Sequence, residues 1–277
     1  MESLVSTEWL AEHLGEPGLT IADSSWHMPA SGRSGRDEYL RAHIPGARFL
    51  DIDEVADRSS PSPHMLPSAT SFGEAMERLG IGRGDSIVVY DNSPLRTAAR
   101  GWFTFRHFGV RDVAILDGGF QKWLAEGRPT ESGEGEPRHA SFKPDKRRDQ
   151  TFTKEQILAG PGCALVDARG KGRFEATEPE PRPGIAGGHI PAARNLPFGL
   201  VYDENGCFKP LAELRRLFDE AGIDSSKPFV ASCGSGVTAT SLIFAAHLLG
   251  SDGGKLYDGS WSEWGADPAT PKATGPA

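Results

Sequence analysis

The sequence predicts an α/β fold built twice, as two tandem domains, each a small parallel sheet with helices on both faces. Three observations carry that expectation. Short apolar runs of strand length alternate with helical patterns along the chain, which is the order that parallel strands joined by crossover helices require. The landmarks of the first half recur, in order, in the second. Between the halves, residues 126–150 are rich in Gly, Pro and charge and poor in periodicity, as a linker is.

Taken in order, residues 6–14 predict a short helix and residues 19–22 a buried strand ending at Asp23. A long loop runs to Gly35, followed by Tyr39, Leu40 and the segment His43-Ile44-Pro45-Gly46-Ala47-Arg48. A short run, 49–52, leads into an irregular loop carrying Asp53, Ser59, Ser60, Pro61 and His64. Phe72, Ala75, Met76 and Leu79 share one helical face that stops at Gly80, and residues 87–90 form an apolar strand ending at Asp91. A helix around Trp102 and Phe105 comes next, then a strand over 113–116 closed by Asp117-Gly118-Gly119 and a helix holding Trp123. In the second half, Thr153 and Gln156 form a capping box ahead of Ile157 and Leu158. Residues 164–167 repeat 20–23, and His189-Ile190-Pro191-Ala192-Ala193-Arg194 repeats the earlier His-Ile-Pro segment. Pro210 reads as the first residue of a helix with Leu211, Leu214, Leu217 and Phe218 on one face and its end at Gly222. Tyr257-Asp258-Gly259-Ser260-Trp261 with Trp264 answers Leu116-Asp117-Gly118-Gly119-Phe120 with Trp123. The domains so delimited are residues 1–130 and 151–277, joined by a linker over 131–150.

A formal net charge of -8 argues against a nucleic-acid or anionic-membrane partner, because such a surface repels phosphate. The basic run 143–148 is interrupted by Pro144 and Asp145 and reads as solvated linker. The chain opens on neither a basic segment nor an apolar one, and its longest nearly apolar run, 242–249, is too short to span a bilayer, so a cytoplasmic protein is expected. Three cysteines at 163, 207 and 233, with no Cys-x-x-Cys pair, predict free thiols, no thiolate metal site and no cofactor.

The chemistry centres on residues 227–250. An apolar run over 229–231 leads into Cys233-Gly234-Ser235-Gly236 and then an apolar helix pattern of Val237, Leu242, Ile243, Phe244, Ala246, Leu248 and Leu249. In a strand-loop-helix unit the loop amides converge on the loop's mouth and the helix start adds partial positive charge. Both favour a thiolate, so Cys233 is the expected nucleophile, while Cys163 and Cys207 read as structural. Ser235 has two roles open to it, a hydrogen bond near the sulfur or, like Thr238, a helix cap. Gly234 and Gly236 leave the backbone free to cradle an anion. In the repeat alignment Asp91 stands where Cys233 stands, so one active site is expected, built mainly from the second domain and completed by loops of the first. A cysteine phosphatase would need an arginine six residues after the nucleophile, and position 239 is alanine.

These residues carry a resemblance. With Cys-Gly-Ser-Gly-Val-Thr at 233–238, two His-Ile-Pro segments, Asp117-Gly118-Gly119-Phe120, His64-Met65-Leu66-Pro67 and Glu180-Pro181-Arg182-Pro183-Gly184, nearly the whole chain resembles the two-domain rhodanese-type sulfurtransferases, and within them those acting on 3-mercaptopyruvate. The resemblance implies that Cys233 takes the outer sulfur as a persulfide, releases pyruvate, and passes the sulfur to thioredoxin, a small thiol or cyanide. It implies a catalytic set of Cys233, Ser235, His64 and Asp53, with Asp51 as the rival to Asp53. A Ser-His-Asp relay is a suitable acid for the enolate left by sulfur abstraction. Arg173 and Arg182, held among Pro179, Pro181 and Pro183, are the implied partners of the substrate carboxylate, and Gly234, Gly236, Val237 and Thr238 line the implied cradle. Arg169, Arg194, His43 and His189 read as structural. Thiosulfate sulfurtransferases usually carry basic side chains just after the cysteine, where this chain has Gly234 and Ser235, and a non-catalytic module of the same fold would not need Cys233, Arg173 and Arg182 together.

Overall fold

The computed structural model describes the backbone of residues 1–277 and every side chain but that of Arg148. The chain divides into two compact units. The first comprises Met1–Arg58, Leu66–Arg147 and Glu204–Phe208; the second comprises Ser59–Met65, Arg148–Asp203 and Lys209–Ala277. His64, from the first half of the sequence, is thus part of the second unit, and Cys207 is part of the first.

In the first unit the strands are β1 (Leu4–Val5), β2 (Leu19–Asp23), β3 (Arg48–Phe49), β4 (Ser86–Tyr90) and β5 (Val113–Leu116). The helices are α1 (Thr7–Glu12), α2 (Gly35–Arg41), α3 (Ala69–Leu79), α4 (Ala98–His107) and α5 (Gly119–Ala125). The strands form one parallel sheet in the order β1-β5-β4-β2-β3. After Ser86 its central strand is apolar because both faces are covered: Ile87, Val88, Val89 and Tyr90 are all fully buried. The stretch read as a linker packs here over much of its length. Phe142 is buried edge-on against Phe72, and Arg138 pairs with Asp85 and the Gly80 carbonyl.

The second unit repeats the plan with β6 (Thr151–Phe152), β7 (Ala164–Asp167), β8 (Arg194–Asn195), β9 (Phe229–Ser232) and β10 (Gly254–Tyr257). Its helices are α6 (Lys154–Leu158), α7 (Lys171–Glu175), α8 (Leu211–Glu220), α9 (Ala239–Leu248) and α10 (Ser260–Trp264). The order β6-β10-β9-β7-β8 is that of the first sheet strand for strand, and every pairing is parallel. Thr153 and Gln156 make both bonds of the expected capping box. Every residue of α9 from Ala239 to Ala246 is buried, in keeping with a sequence that has no polar stripe.

The repeat extends to single bonds. His43 donates its Nδ1–H to the Tyr39 carbonyl at 2.8 Å and stacks on that ring; His189 does the same with Phe174 at 2.9 Å. Both histidines are buried. The Trp123 and Trp264 indoles each donate, at 2.8 Å, to the carbonyl of a proline, Pro129 and Pro271. Pro210 differs from its reading: with ψ at 145° it is outside the helix, as the N-cap of α8, and Leu211 is 54% exposed, so the buried face is Leu214, Leu217 and Phe218. Among the described residues no helix is long and apolar enough to cross a membrane, and no group of three or more His, Cys, Asp or Glu is placed to hold a metal ion.

Candidate active site

Register places Cys233 at the carboxyl end of the central strand. Asp167 of β7 is level with Ser232 of β9, so Cys233 is the first residue off the sheet, as Asp91 is in the first unit, where Asp23 is level with Tyr90. Cys233 is 1% exposed. The loop from Cys233 to Thr238 is laced to the start of α10. The Ser260 hydroxyl accepts the amide N–H of Cys233 at 3.0 Å and of Gly236 at 3.1 Å, and donates to the Tyr257 carbonyl at 2.8 Å. The Cys233 carbonyl accepts from the Trp261 amide at 3.0 Å, and the Gly234 carbonyl accepts from both the amide and the hydroxyl of Ser262, at 2.8 and 2.6 Å. Gly236 has φ +74°, a left-handed turn that only glycine enters without strain.

Within this lacing the Gly236 amide is engaged by Ser260. No acceptor among the described residues takes the amides of Gly234, Ser235, Val237 or Thr238, which leaves these four as the loop's donors. Thr238 occupies the N-cap position of α9 with φ -74° and ψ -18° and makes no side-chain capping bond.

The two roles left open for Ser235 are separated by geometry. Its hydroxyl lies 2.9 Å from His64 Nδ1, in a buried pair 171 residues apart in sequence, and does not cap the helix. His64 is itself held at φ +61°, where a non-glycine residue is strained. Asp53 belongs to the first unit, where its carboxylate accepts the Trp26 indole N–H at 2.7 Å. Its rival Asp51 caps its own turn: Oδ1 accepts the amides of Asp53 at 3.0 Å and Glu54 at 3.3 Å, and burial raises its pKa.

Both predicted arginines reach the loop region. An atom built as a Cβ on Gly234 would lie 3.1 Å from Arg173 Nη2, and Arg182 Nη1 donates to the Ser262 hydroxyl at 3.2 Å. Arg173 is itself held by Glu180, with Nη2 to Oε2 at 2.5 Å and Nε to Oε1 at 3.3 Å. The other oxygen contact of Glu180 is Arg169, at 2.7 Å. The Arg169 side chain also makes three contacts with Asp167, donates to the Gly188 carbonyl at 2.7 Å, and sits 4.5 Å over the Trp261 ring. Burial alone would lower the pKa of Arg169, but the ion pairs with Asp167 and Glu180 raise it.

Three residues near the cysteine escaped the sequence reading. Glu180 was visible only as part of a motif, and Ser262 carried no signal. Ser260 had one, since it replaces Gly119 of the other copy at a backbone position with positive φ, +48° against +59°.

Comparison with known proteins follows the same lines. A model of the rhodanese-like domain matches residues 6–126 and again 153–267. The chain is 44% identical over 274 residues to the 3-mercaptopyruvate sulfurtransferase of Homo sapiens, covering 95% of this chain and 91% of that protein. It is 43% identical over 272 residues to the thiosulfate sulfurtransferase of Bos taurus, again covering 95% and 91%. Among solved structures, SseA from Escherichia coli, described as a 3-mercaptopyruvate sulfotransferase, superposes with a TM-score of 0.86 at 37% identity over 95% of this chain and 100% of that one. The Tum1 protein from Saccharomyces cerevisiae gives a TM-score of 0.84 at 30% identity, covering 95% and 94%.

Proposed function

Since the chain belongs to the rhodanese-like domain family, we propose that it transfers sulfur, with Cys233 as the atom that carries it and 3-mercaptopyruvate as the donor. Identities of 44% and 43% to relatives named for 3-mercaptopyruvate and for thiosulfate do not separate the two donors. The cysteine loop does, and this observation carries the reading. The two positions after Cys233 are Gly234 and Ser235, which offer amides and a hydroxyl but no charge, while cationic recognition comes from Arg173 and Arg182 beside the loop. That arrangement suits a donor whose charge is a carboxylate set apart from its transferable sulfur.

In the proposed reaction the Cys233 thiolate attacks the donor sulfur. The donor's carbon–sulfur bond breaks as the sulfur–sulfur bond forms, and the electron pair leaves on carbon as the enolate of pyruvate. The proton of the donor thiol moves to that carbon through the Ser235 hydroxyl and His64, which lie 2.9 Å apart. Thiolate and mercaptopyruvate monoanion thereby become persulfide anion and pyruvate, with atoms and charge conserved. The amides of Gly234, Ser235, Val237 and Thr238 are the donors that stabilise the persulfide anion. Asp53 is kept as the carboxylate of the relay on sequence grounds. A thiol, small or on thioredoxin, or cyanide then attacks the outer sulfur and regenerates the thiolate. Burial of Cys233 supports a persulfide shielded from bulk solvent between the two steps. The free state of all three cysteines supports action in a reducing, cytoplasmic compartment.

The test is incubation with 3-mercaptopyruvate and no acceptor. We expect one equivalent of pyruvate per chain and a mass gain of one sulfur atom, both lost in Cys233→Ser. Persulfide formed from thiosulfate and not from 3-mercaptopyruvate would refute the donor assignment.

A further inference from the structure

We propose that the first unit carries an anion site of its own, built by Arg36, Arg48 and Arg78 and suited to a phosphate-type dianion; it goes beyond the sulfur-transfer reading and does not depend on it. All three residues belong to the first unit. Arg36 lies in α2, Arg48 opens β3 and Arg78 is in the last turn of α3, so three elements bring guanidinium groups to the lining of one cavity of about 130 Å³. The one carboxylate in that lining is Glu134, and it pairs with Arg36, which also lies over the Phe49 ring at 5.9 Å. Arg48 and Arg78 have no carboxylate within ion-pair distance among the described residues. The Nη2 of Arg48 donates to the Glu136 carbonyl at 2.5 Å, a neutral acceptor, while its Nη1 is shut off from solvent and donates to nothing among the described residues. Two positive charges are therefore unmatched at one cavity, in a chain whose formal net charge is -8.

A phosphoryl dianion answers both the charge and the geometry. Its charge equals the unmatched two, and its oxygens point in tetrahedral directions that guanidinium forks from different elements can meet. A lone carboxylate would leave one positive charge unmet. Arg36 and Arg78 are exposed and can touch the ligand, whereas Arg48 acts from behind through its charge, which a half-buried setting screens weakly. An adjoining cavity of about 420 Å³ shares Phe49 and Arg78 with the first and adds Val55, Ala75, Asp51 and Glu54. Its apolar side chains offer a seat for the organic part of a small phosphomonoester, and its two acids disfavour a second anionic group there. The phosphoryl group is thus the recognised chemistry, whether it arrives as free phosphate or as an ester.

The experiment titrates the full chain with inorganic phosphate and, separately, with phenyl phosphate, at constant ionic strength and about pH 8, where the phosphoryl group is a dianion. Backbone amides are followed by heteronuclear NMR, which locates the binding. We expect saturable shifts at the amides of Phe49, Leu79 and Gly135. Arg78→Gln should weaken binding about ten- to a hundredfold, the worth of a charge-assisted hydrogen bond. Arg78 is exposed and makes no hydrogen bond or ion pair among the described residues, so this variant should fold as the wild type does. Arg182→Ala, beside the cysteine loop, should leave the shifts at Phe49, Leu79 and Gly135 unchanged. Phenyl phosphate binding about tenfold tighter than phosphate assigns the site to an organic phosphate, and equal affinities assign it to the free ion. Shifts confined to residues 233–238, shifts that never saturate, or an affinity that Arg78→Gln leaves unchanged would each overturn the proposal.

Discussion

Ser260 offers a test in which two substitutions at one position separate two energies. The residue is fully buried, its hydroxyl accepts the amides of Cys233 and Gly236, and its φ of +48° lies in the left-handed region. Ser260→Ala leaves both amides without their acceptor and keeps the strained backbone. A buried N–H left unpaired costs about 1–3 kcal/mol, so after partial relaxation the second unit should lose about 2–4 kcal/mol. Ser260→Gly removes the same bonds but relieves the left-handed strain, worth about 1 kcal/mol, as Gly119 does at φ +59° in the other copy. The expected order of stability is therefore wild type, then glycine, then alanine. Hydrogen exchange of the β9 amides under increasing urea reads this for the second unit directly. Single-turnover release of pyruvate should also slow, by up to about a hundredfold, because a loop freed to shift by an ångström misplaces the sulfur. An alanine variant within about 0.5 kcal/mol of wild type would refute the anchoring role. A glycine variant less stable than alanine would refute the strain.

Arg182→Ala should raise KM for 3-mercaptopyruvate about ten- to a hundredfold, the worth of a charge-assisted hydrogen bond, with a much smaller effect on mercaptoacetone, which lacks the carboxylate. Equal effects on both donors would make Arg182 structural. In the first unit, burial raises the pKa of Asp23 from 3.8 to about 7, against the lowering effect of its bonds to Ser25. The folded state therefore holds a proton that the unfolded chain releases, so this stabilisation is complete below about pH 4 and is lost as pH rises through 7. Asp23→Asn should flatten that decline, which amounts to about 4 kcal/mol at most over three pH units. Parallel stability–pH curves for the two proteins, read by hydrogen exchange at β2 and β4, would count against it.

What could be read in advance follows physical lines. The four- and five-residue strands of both sheets are mainly apolar because parallel sheets are buried on both faces, and each ends at, or one residue before, one of Asp23, Asp91, Asp117, Asp167, Cys233 and Asp258. The two-residue edge strands β1, β3, β6 and β8 have too few positions to show a pattern. Helix α2 was hidden for a related reason, since the polar segment Gly35–Arg41 buries only Gly35 and Tyr39 and so lacks an apolar stripe. At the site, the loop of Cys233 was legible because its small residues mark a tight turn. Its partners were not, because hydrogen bonds between residues 27 and 171 positions apart leave no local periodicity.

The two copies show why the loop of Cys233 needs help that its counterpart does not. In the first unit the Asp91 carboxylate anchors its own loop: Oδ1 accepts the Ser93 amide at 2.7 Å and Oδ2 the Ala98 amide at 2.8 Å, at the start of α4. The cradle there is filled by the side chain that forms it. A thiol at the same position is a weak acceptor and cannot hold two amides, and one that did would be less available to a substrate. In the second unit the anchoring passes to Ser260, which takes the amides of Cys233 and Gly236 from outside the loop. The first unit cannot borrow this device, since a Cβ on Gly119 would meet the Asp91 carbonyl at 2.5 Å. Cys233 and Ser260 therefore belong together: the serine's strained backbone is tolerated because its hydroxyl holds the loop, and the loop held from outside leaves the amides of Gly234, Ser235, Val237 and Thr238 without an acceptor among the described residues.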